Sequence, residues 1–178
     1  MTPLEQFRRW LVDVEPPVSM ALATAAADGA PSVRMVLLKE ADEGGLVFFT
    51  NYESRKGRDL AENPRAALLV HLPGRQIRIE GDVVRLPAAE SDAYWSTRPL
   101  GSRVGAVASR QSAVLASREE LERRVAAVDP EPARPDYWGG FRLTPHTVEL
   151  WEHRDDRLHD RVRYRRDGDG WVSELLYP

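Results

Sequence analysis

The chain divides itself into short apolar runs, each closed by a turn signal, and few folds accept that pattern. Residues 19–25 are apolar and of strand length, Asp28-Gly29 turns the chain, and 32–39 return as a β-branched run. Residues 46–50 and 66–72 are two more such runs, the latter ending at Pro73-Gly74. From 75 to 86 the chain alternates, with Ile77 and Ile79 set between Gln76, Arg78 and Glu80, the period of a strand buried on one face. Residues 137–143, 147–152, 157–166 and 170–175 complete the set as strands. Helical spacing is confined to four stretches. These are 3–12 (Leu4, Phe7, Trp10, Leu11), 54–63 with Ser54 as N-cap and Pro64 as stop, 87–98 with Tyr94 and Trp95, and the charged run 117–128. Residues 40–45 read as a loop and 100–112 as irregular or short helix. Many short antiparallel strands with a few helices predict a mainly β (α+β) fold, a small barrel with helices on its outside. One domain spans 1–178, with 1–19 a short N-terminal helix and linker and 129–136 a proline-rich loop.

Composition removes whole classes of function. A net charge of -3 offers no bulk polycation for nucleic acid. The absence of cysteine excludes disulfides, thiolate catalysis and thiolate metal sites. His71, His146, His153 and His159 lack ligand spacing, so no metal is expected. No apolar run reaches the length of a membrane span and residues 1–9 are no signal peptide, so the expected location is cytoplasmic. Of the 25 basic residues only Lys39 and Lys56 are lysine. In a chain that writes arginine almost everywhere, these two mark places where a compact ammonium is wanted.

Four constellations carry chemistry. Residues 34–39, RMVLLK, are a strand with a cation near each end; a regular pleat puts Arg34 and Lys39 on opposite faces. Residues 50–56, TNYESRK, place Arg55 and Lys56 in the first turn of a helix. Cations there oppose the macrodipole, so two of them argue for an anion between. Residues 94–102 offer the phenol of Tyr94, the guanidinium of Arg98 and the hydroxyl of Ser102, a second grip for phosphate. Residues 109–112, SRQS, supply polar groups suited to the edge of a flat heterocycle. Near the C-terminus, Arg157, His159 and Arg161 alternate; on a strand they share one face, two guanidiniums around a titratable imidazole. Two anion grips, the amides Gln76 and Gln111 and the aromatics Trp138 and Trp151 point to a phosphorylated aromatic ligand. There is no glycine-rich dinucleotide fingerprint, P-loop or nucleophile elbow.

In order and spacing, RMVLLK (34–39), FFTNYESRKG (48–57), YWSTRP (94–99), SRQS (109–112), WGGFR (138–142) and ELWEHRDDRLHDR (149–161) resemble the pyridoxine (pyridoxamine) 5′-phosphate oxidase family, from Met20 to Pro178. The resemblance implies a split β-barrel flavoprotein, a homodimer with FMN between its subunits. Carried over by motif, FMN would meet Arg34, Met35, Val36, Leu37, Lys39, Phe49, Thr50, Arg55, Lys56, Gln76, Gln111, Ser112, Trp151 and Arg161. Substrate would meet Lys39, Tyr94, Arg98, Ser102, Arg157 and His159, with Arg157 and His159 as catalytic residues. The implied reaction takes pyridoxine or pyridoxamine 5′-phosphate to pyridoxal 5′-phosphate, with O2 reduced to H2O2.

The chain departs from the family pattern in three places. Only about nineteen residues precede Met20, Pro16 stands where the family has an acid with Glu15 one place off, and the loop 71–74 is short. The same fold admits other readings: a flavin oxidase of a phenazine-type precursor, a non-catalytic flavin or pyridoxal phosphate binder, or a deazaflavin-dependent reductase.

Overall fold

The computed structural model describes residues 1–178. Its elements run α1 Pro3–Leu11, β1 Ser19–Ala25, β2 Pro31–Leu37, β3 Glu40–Asp42, β4 Gly45–Asn51, α2 Arg55–Glu62, β5 Arg65–Leu72, β6 Arg75–Arg85, α3 Ala88–Thr97, α4 Leu100–Ala108, α5 Arg118–Ala126, β7 Trp138–Glu152, β8 Asp160–Asp167 and β9 Gly170–Leu175. All pairings are antiparallel, in the order β2-β1-β5-β6-β7-β4-β3 with β8 and β9 branching from β7. The sheet curls into a split barrel. Beyond β2 the Lys39 N–H donates to the Val47 carbonyl of β4 at 2.9 Å, which brings the first strand of the series to the far side.

Alternation decides what lies inside. Leu68, Val70 and Leu72 of β5 and Ile77, Ile79 and Val83 of β6 point inward and join Met20, Leu22, Phe48, Phe141 and Leu150 in one cluster. Helix α1 adds Leu4, Phe7 and Trp10 to that cluster. Its first turn is closed by a capping box, in which the Glu5 N–H donates to Thr2 Oγ1 at 3.0 Å and the Thr2 N–H donates to Glu5 Oε2 at 2.7 Å.

Three segments differ from expectation. The two strands expected at 137–143 and 147–152 are one, β7. Pro145 has no N–H to give, and the ladder absorbs it with an irregularity at Glu80/Gly81. Gly81 is required there, because a Cβ would stand 2.0 Å from the Thr144 carbonyl oxygen. One edge of β7 carries β6; the other carries β4 along its first half and β8 along its second. Residues 40–42, expected in a loop, form β3.

The third difference matters most. Strand β8 starts at Asp160, so Arg157 and His159 precede it in a turn and the shared strand face does not exist. The Asp156 carboxylate accepts the Leu158 N–H at 3.0 Å, and Arg157 turns into the left-handed region at φ 66. A local side-chain bond has won over the extended pattern that the alternating charges imply.

Candidate functional site

A cavity of about 700 Å³ opens where β2, β4, α2, α3 and α4 meet. Lys39, Lys56 and Arg98 line it and no carboxylate does, so both lysines of the chain converge on one space. Helix α2 delivers Lys56. Ser54 caps that helix, and Gly57 lets its first turn press on the Tyr52 backbone, where a Cβ would lie 2.0 Å from the carbonyl oxygen. Lys56 is 7% exposed. Its Nζ donates to Gln111 Oε1 at 2.8 Å, Thr50 Oγ1 at 3.1 Å and Ser54 Oγ at 3.3 Å, all neutral acceptors. Burial, together with the nearby charge of Arg34, pushes its pKa down to about 8.

The opposite wall is aromatic and cationic. Phe49 stacks on Tyr94 at 3.9 Å between ring centroids and on Trp138 at 5.6 Å. Arg98, delivered by the end of α3 just before Pro99, lies over Trp138 at 4.3 Å and Trp95 at 5.2 Å. Its Nη1 is buried with no hydrogen-bond partner, and burial lowers its pKa. Lys39 Nζ stands 5.5 Å from the Tyr94 ring. Ser102 adds a hydroxyl from the first turn of α4.

Arg34 lies behind this cavity rather than on its lining. It donates to the Leu22 carbonyl at 3.1 Å, to Thr24 Oγ1 at 2.7 Å and to Ser32 Oγ, beside the buried Asp59. Lys39 lines the cavity and Arg34 does not; β2 ends at Leu37, so no regular pleat relates the two.

A second cluster forms at the other end of β7. Gln76 faces Trp151 across the β6–β7 ladder and Arg161 faces it across β7–β8. The ring of His159 lies 4.6 Å from Trp151, and its Nδ1 accepts the Arg154 N–H at 3.1 Å, so the neutral ring carries its proton on Nε2. Arg161 Nη2 stands 2.7 Å and Arg78 Nη2 2.8 Å from opposite oxygens of the buried Glu149. Trp138 and Trp151 end the two clusters on one strand, a separation of roughly 40 Å were it straight.

The candidate residues therefore fall into groups. Met35, Val36, Leu37, Lys39, Phe49, Thr50, Lys56 and Gln111 line the cavity, as do Tyr94, Arg98 and Ser102. Arg55 sits beside them at the start of α2, and Ser112 follows Gln111 with φ 72. Gln76, Trp151, Arg157, His159 and Arg161 gather at the distant corner. Ser112 and Arg157 are the two non-glycine residues of the chain with positive φ, and both come from these candidates. Sequence reading missed the stacking of Arg98 on Trp138 and the contacts of Asp59 with Thr24, Ser32 and Arg34. For Asp59, an acid three residues after a lysine in a cation-rich helix start was an available signal.

Known proteins match along the same lines. Residues 8–130 match the model of the family described as pyridoxamine 5′-phosphate oxidase, and residues 138–178 match that of the pyridoxine 5′-phosphate oxidase C-terminal dimerisation region. The chain is 54% identical to the pyridoxine/pyridoxamine 5′-phosphate oxidase of Thermosynechococcus vestitus, covering 99% of this chain and 89% of that one. It is 52% identical to the protein of that name in Cupriavidus taiwanensis, with the same coverage. Among solved structures it superposes on PhzG from Burkholderia lata, in complex with tetrahydrophenazine-1-carboxylic acid, with TM-score 0.91 and 38% identity over 99% of this chain and 92% of that one.

Proposed function

The chain belongs to the pyridoxamine 5′-phosphate oxidase family, and on that footing we propose that it is an FMN-dependent oxidase converting pyridoxine or pyridoxamine 5′-phosphate to pyridoxal 5′-phosphate, with O2 reduced to H2O2. One observation carries the ligand assignment: the cavity holds three cations and no carboxylate. A lysine as buried as Lys56, with only neutral acceptors, is costly alone and wants an anion. The orphaned Nη1 of Arg98 makes the same demand on the other wall. Two separate cationic ends fit two phosphates, one on the cofactor and one on the substrate, with the aromatic wall suited to flat rings between them.

The bound flavin supplies the two-electron chemistry. The chain's own residues bind and orient. Lys56, with Arg55 and Arg34 near it, takes the cofactor phosphate, and the Gln111 amide, its oxygen held by Lys56 and Thr50, turns its N–H groups to the ligand. Lys39, Tyr94, Arg98 and Ser102 take the substrate phosphate. Arg157 positions the reacting carbon and stabilises developing charge, while His159 donates from Nε2 to the ring hydroxyl.

Arg157 and His159 stand at the far end of β7 from that grip, which supports a homodimer in which each site joins the cavity of one subunit to the Trp151 corner of the other. The match of 138–178 to a dimerisation region supports it, as does the outer sheet face. There Val33 and Met35 are 69% and 61% exposed beside Ala23 and Ala21. Residues 1–178 form one domain in this reading.

The likeness to PhzG, solved with a carboxylic acid, keeps one second reading in play: an oxidase of a phenazine-type precursor. A single assay separates them. Purified protein with a flavin spectrum, given pyridoxine 5′-phosphate in air, should yield peroxide and the aldehyde together. A flavin spectrum with neither product would overturn the substrate and leave the cofactor.

A further inference from the structure

Asp59 is an acid beside a phosphate cradle, where a negative charge should be unwelcome. It lies on α2 three residues after Lys56 and is 6% exposed. Its Oδ2 accepts the Thr24 hydroxyl at 2.6 Å and the Ser32 hydroxyl at 3.0 Å, and stands 3.7 Å from Arg34 Nη2. Thr24 and Ser32 face each other across β1 and β2. A hydroxyl has one proton, so two hydroxyls that donate to Asp59 turn only lone pairs toward Arg34. Arg34 answers with its donors: Nη1 gives to Thr24 Oγ1 at 2.7 Å and to the Leu22 carbonyl at 3.1 Å, and Nη2 gives to Ser32 Oγ. The planar fork is fixed at three points, leaving Nε–H and one Nη2–H uncommitted. Burial pushes the Asp59 carboxyl up. The hydroxyl bonds from Thr24 and Ser32 and the charges of Arg34 and Arg55 outweigh it, so the group is held below its ordinary value and is ionised at neutral pH, as the relay requires.

We infer that Asp59 is a positioning residue: through the hydroxyls of Thr24 and Ser32 it orients the Arg34 guanidinium so that Arg34 and Lys56 together grip the terminal phosphate of the flavin. The inference rests on the FMN reading above and adds a residue to it. Arg34 stands just behind the cavity wall that Met35 to Leu37 line, near enough to Lys56 for its charge to act on it, with Nε–H and one Nη2–H free for an anion there. A carboxylate that merely neutralised Arg34 would have the opposite effect, since its removal would free a cation and tighten phosphate binding.

The test compares FMN with riboflavin, which differ by the phosphate alone. Full-length protein stripped of flavin is titrated with each and followed by flavin fluorescence. Asp59→Asn should weaken FMN binding about tenfold and leave riboflavin unchanged, and Ser32→Ala, which keeps the carboxylate, should cost FMN about threefold. In an Arg34→Met background Asp59→Asn should cost nothing more. Equal losses for both ligands, a gain in FMN affinity, or additive losses in the double variant would overturn the role. Should Asp59→Asn not fold, unchanged FMN affinity in Ser32→Ala would overturn it as well. A wild-type protein that does not prefer FMN to riboflavin would instead overturn the phosphate reading of the cavity.

Discussion

The two ends of β7 hold functional groups in opposite ways. Around Trp138 the groups are buried and locked: Lys56 has three acceptors, Arg98 lies over two indoles, and the residues that brace them come from β4, the cap of α2, α3, β7 and the loop that carries Gln111. Around Trp151 the groups are looser: Gln76, His159 and Arg161 are half-buried, and Arg157 is exposed on a turn. Arg157 has a left-handed backbone, His159 takes one backbone N–H, and Arg154 is tied to Asp156 and Asp160 on the surface. At the first end packing within the chain fixes the cations, and at the second a surface turn sets Arg157 outward.

The largest effect expected from this contrast is complementation. Arg98→Met and Arg157→Ala should each lower turnover by about a thousandfold, by losing phosphate grip and ring positioning respectively. Coexpressed, random pairing makes half the dimers mixed, each with one intact site, so activity should return to about a quarter of wild type. No recovery would place both ends in a site within one subunit. The next effect tests the buried end alone: Lys56→Met should weaken FMN about a hundredfold and riboflavin far less, read by fluorescence titration.

The pH dependence is smaller and its sign is fixed. Lys56 loses its proton near 8 in the folded chain and at its ordinary 10.5 in the unfolded one. Between these values the unfolded state binds more protons, so the flavin-free protein should gain stability as pH rises through the window. Phosphate needs the charged lysine, so FMN affinity should fall above about 8, approaching tenfold per pH unit, and Lys56→Met should abolish that slope. The smallest effect belongs to the exposed end. Arg157→Gly and Arg157→Ala should be equally inactive, but the glycine variant should be more stable by about 1 kcal/mol, because positive φ suits it. Equal melting temperatures would show that this turn relaxes when the side chain is cut back.

Much of the cradle was legible in the sequence because it obeys local rules. Ser54 before Arg55-Lys56 marks a helix start with two cations in its first turn, and Tyr94, Arg98 and Ser102 fall on neighbouring helical turns around Pro99. The strand that was to join Arg157, His159 and Arg161 was not legible. Alternating charges mimic a strand, and only the Asp156 side chain, bonding the Leu158 N–H, shows the chain turning before Asp160. Likewise two strand-like runs flanking Pro145 read as two strands, because the irregularity that fuses them depends on Gly81 in another part of the chain.

By itself, then, the sequence determined most of the stretches that become strands and which helix start carries the cations, since periodicity, capping and charge are properties of neighbouring residues. Tertiary structure alone decided that Lys39 and Lys56 meet in one cavity, that Arg34 is held just behind its wall by Thr24, Ser32 and Asp59, and that Arg157 stands apart from both. Those outcomes depend on contacts between residues tens of positions apart, brought together by the closing of the barrel, and no local pattern encodes that distance.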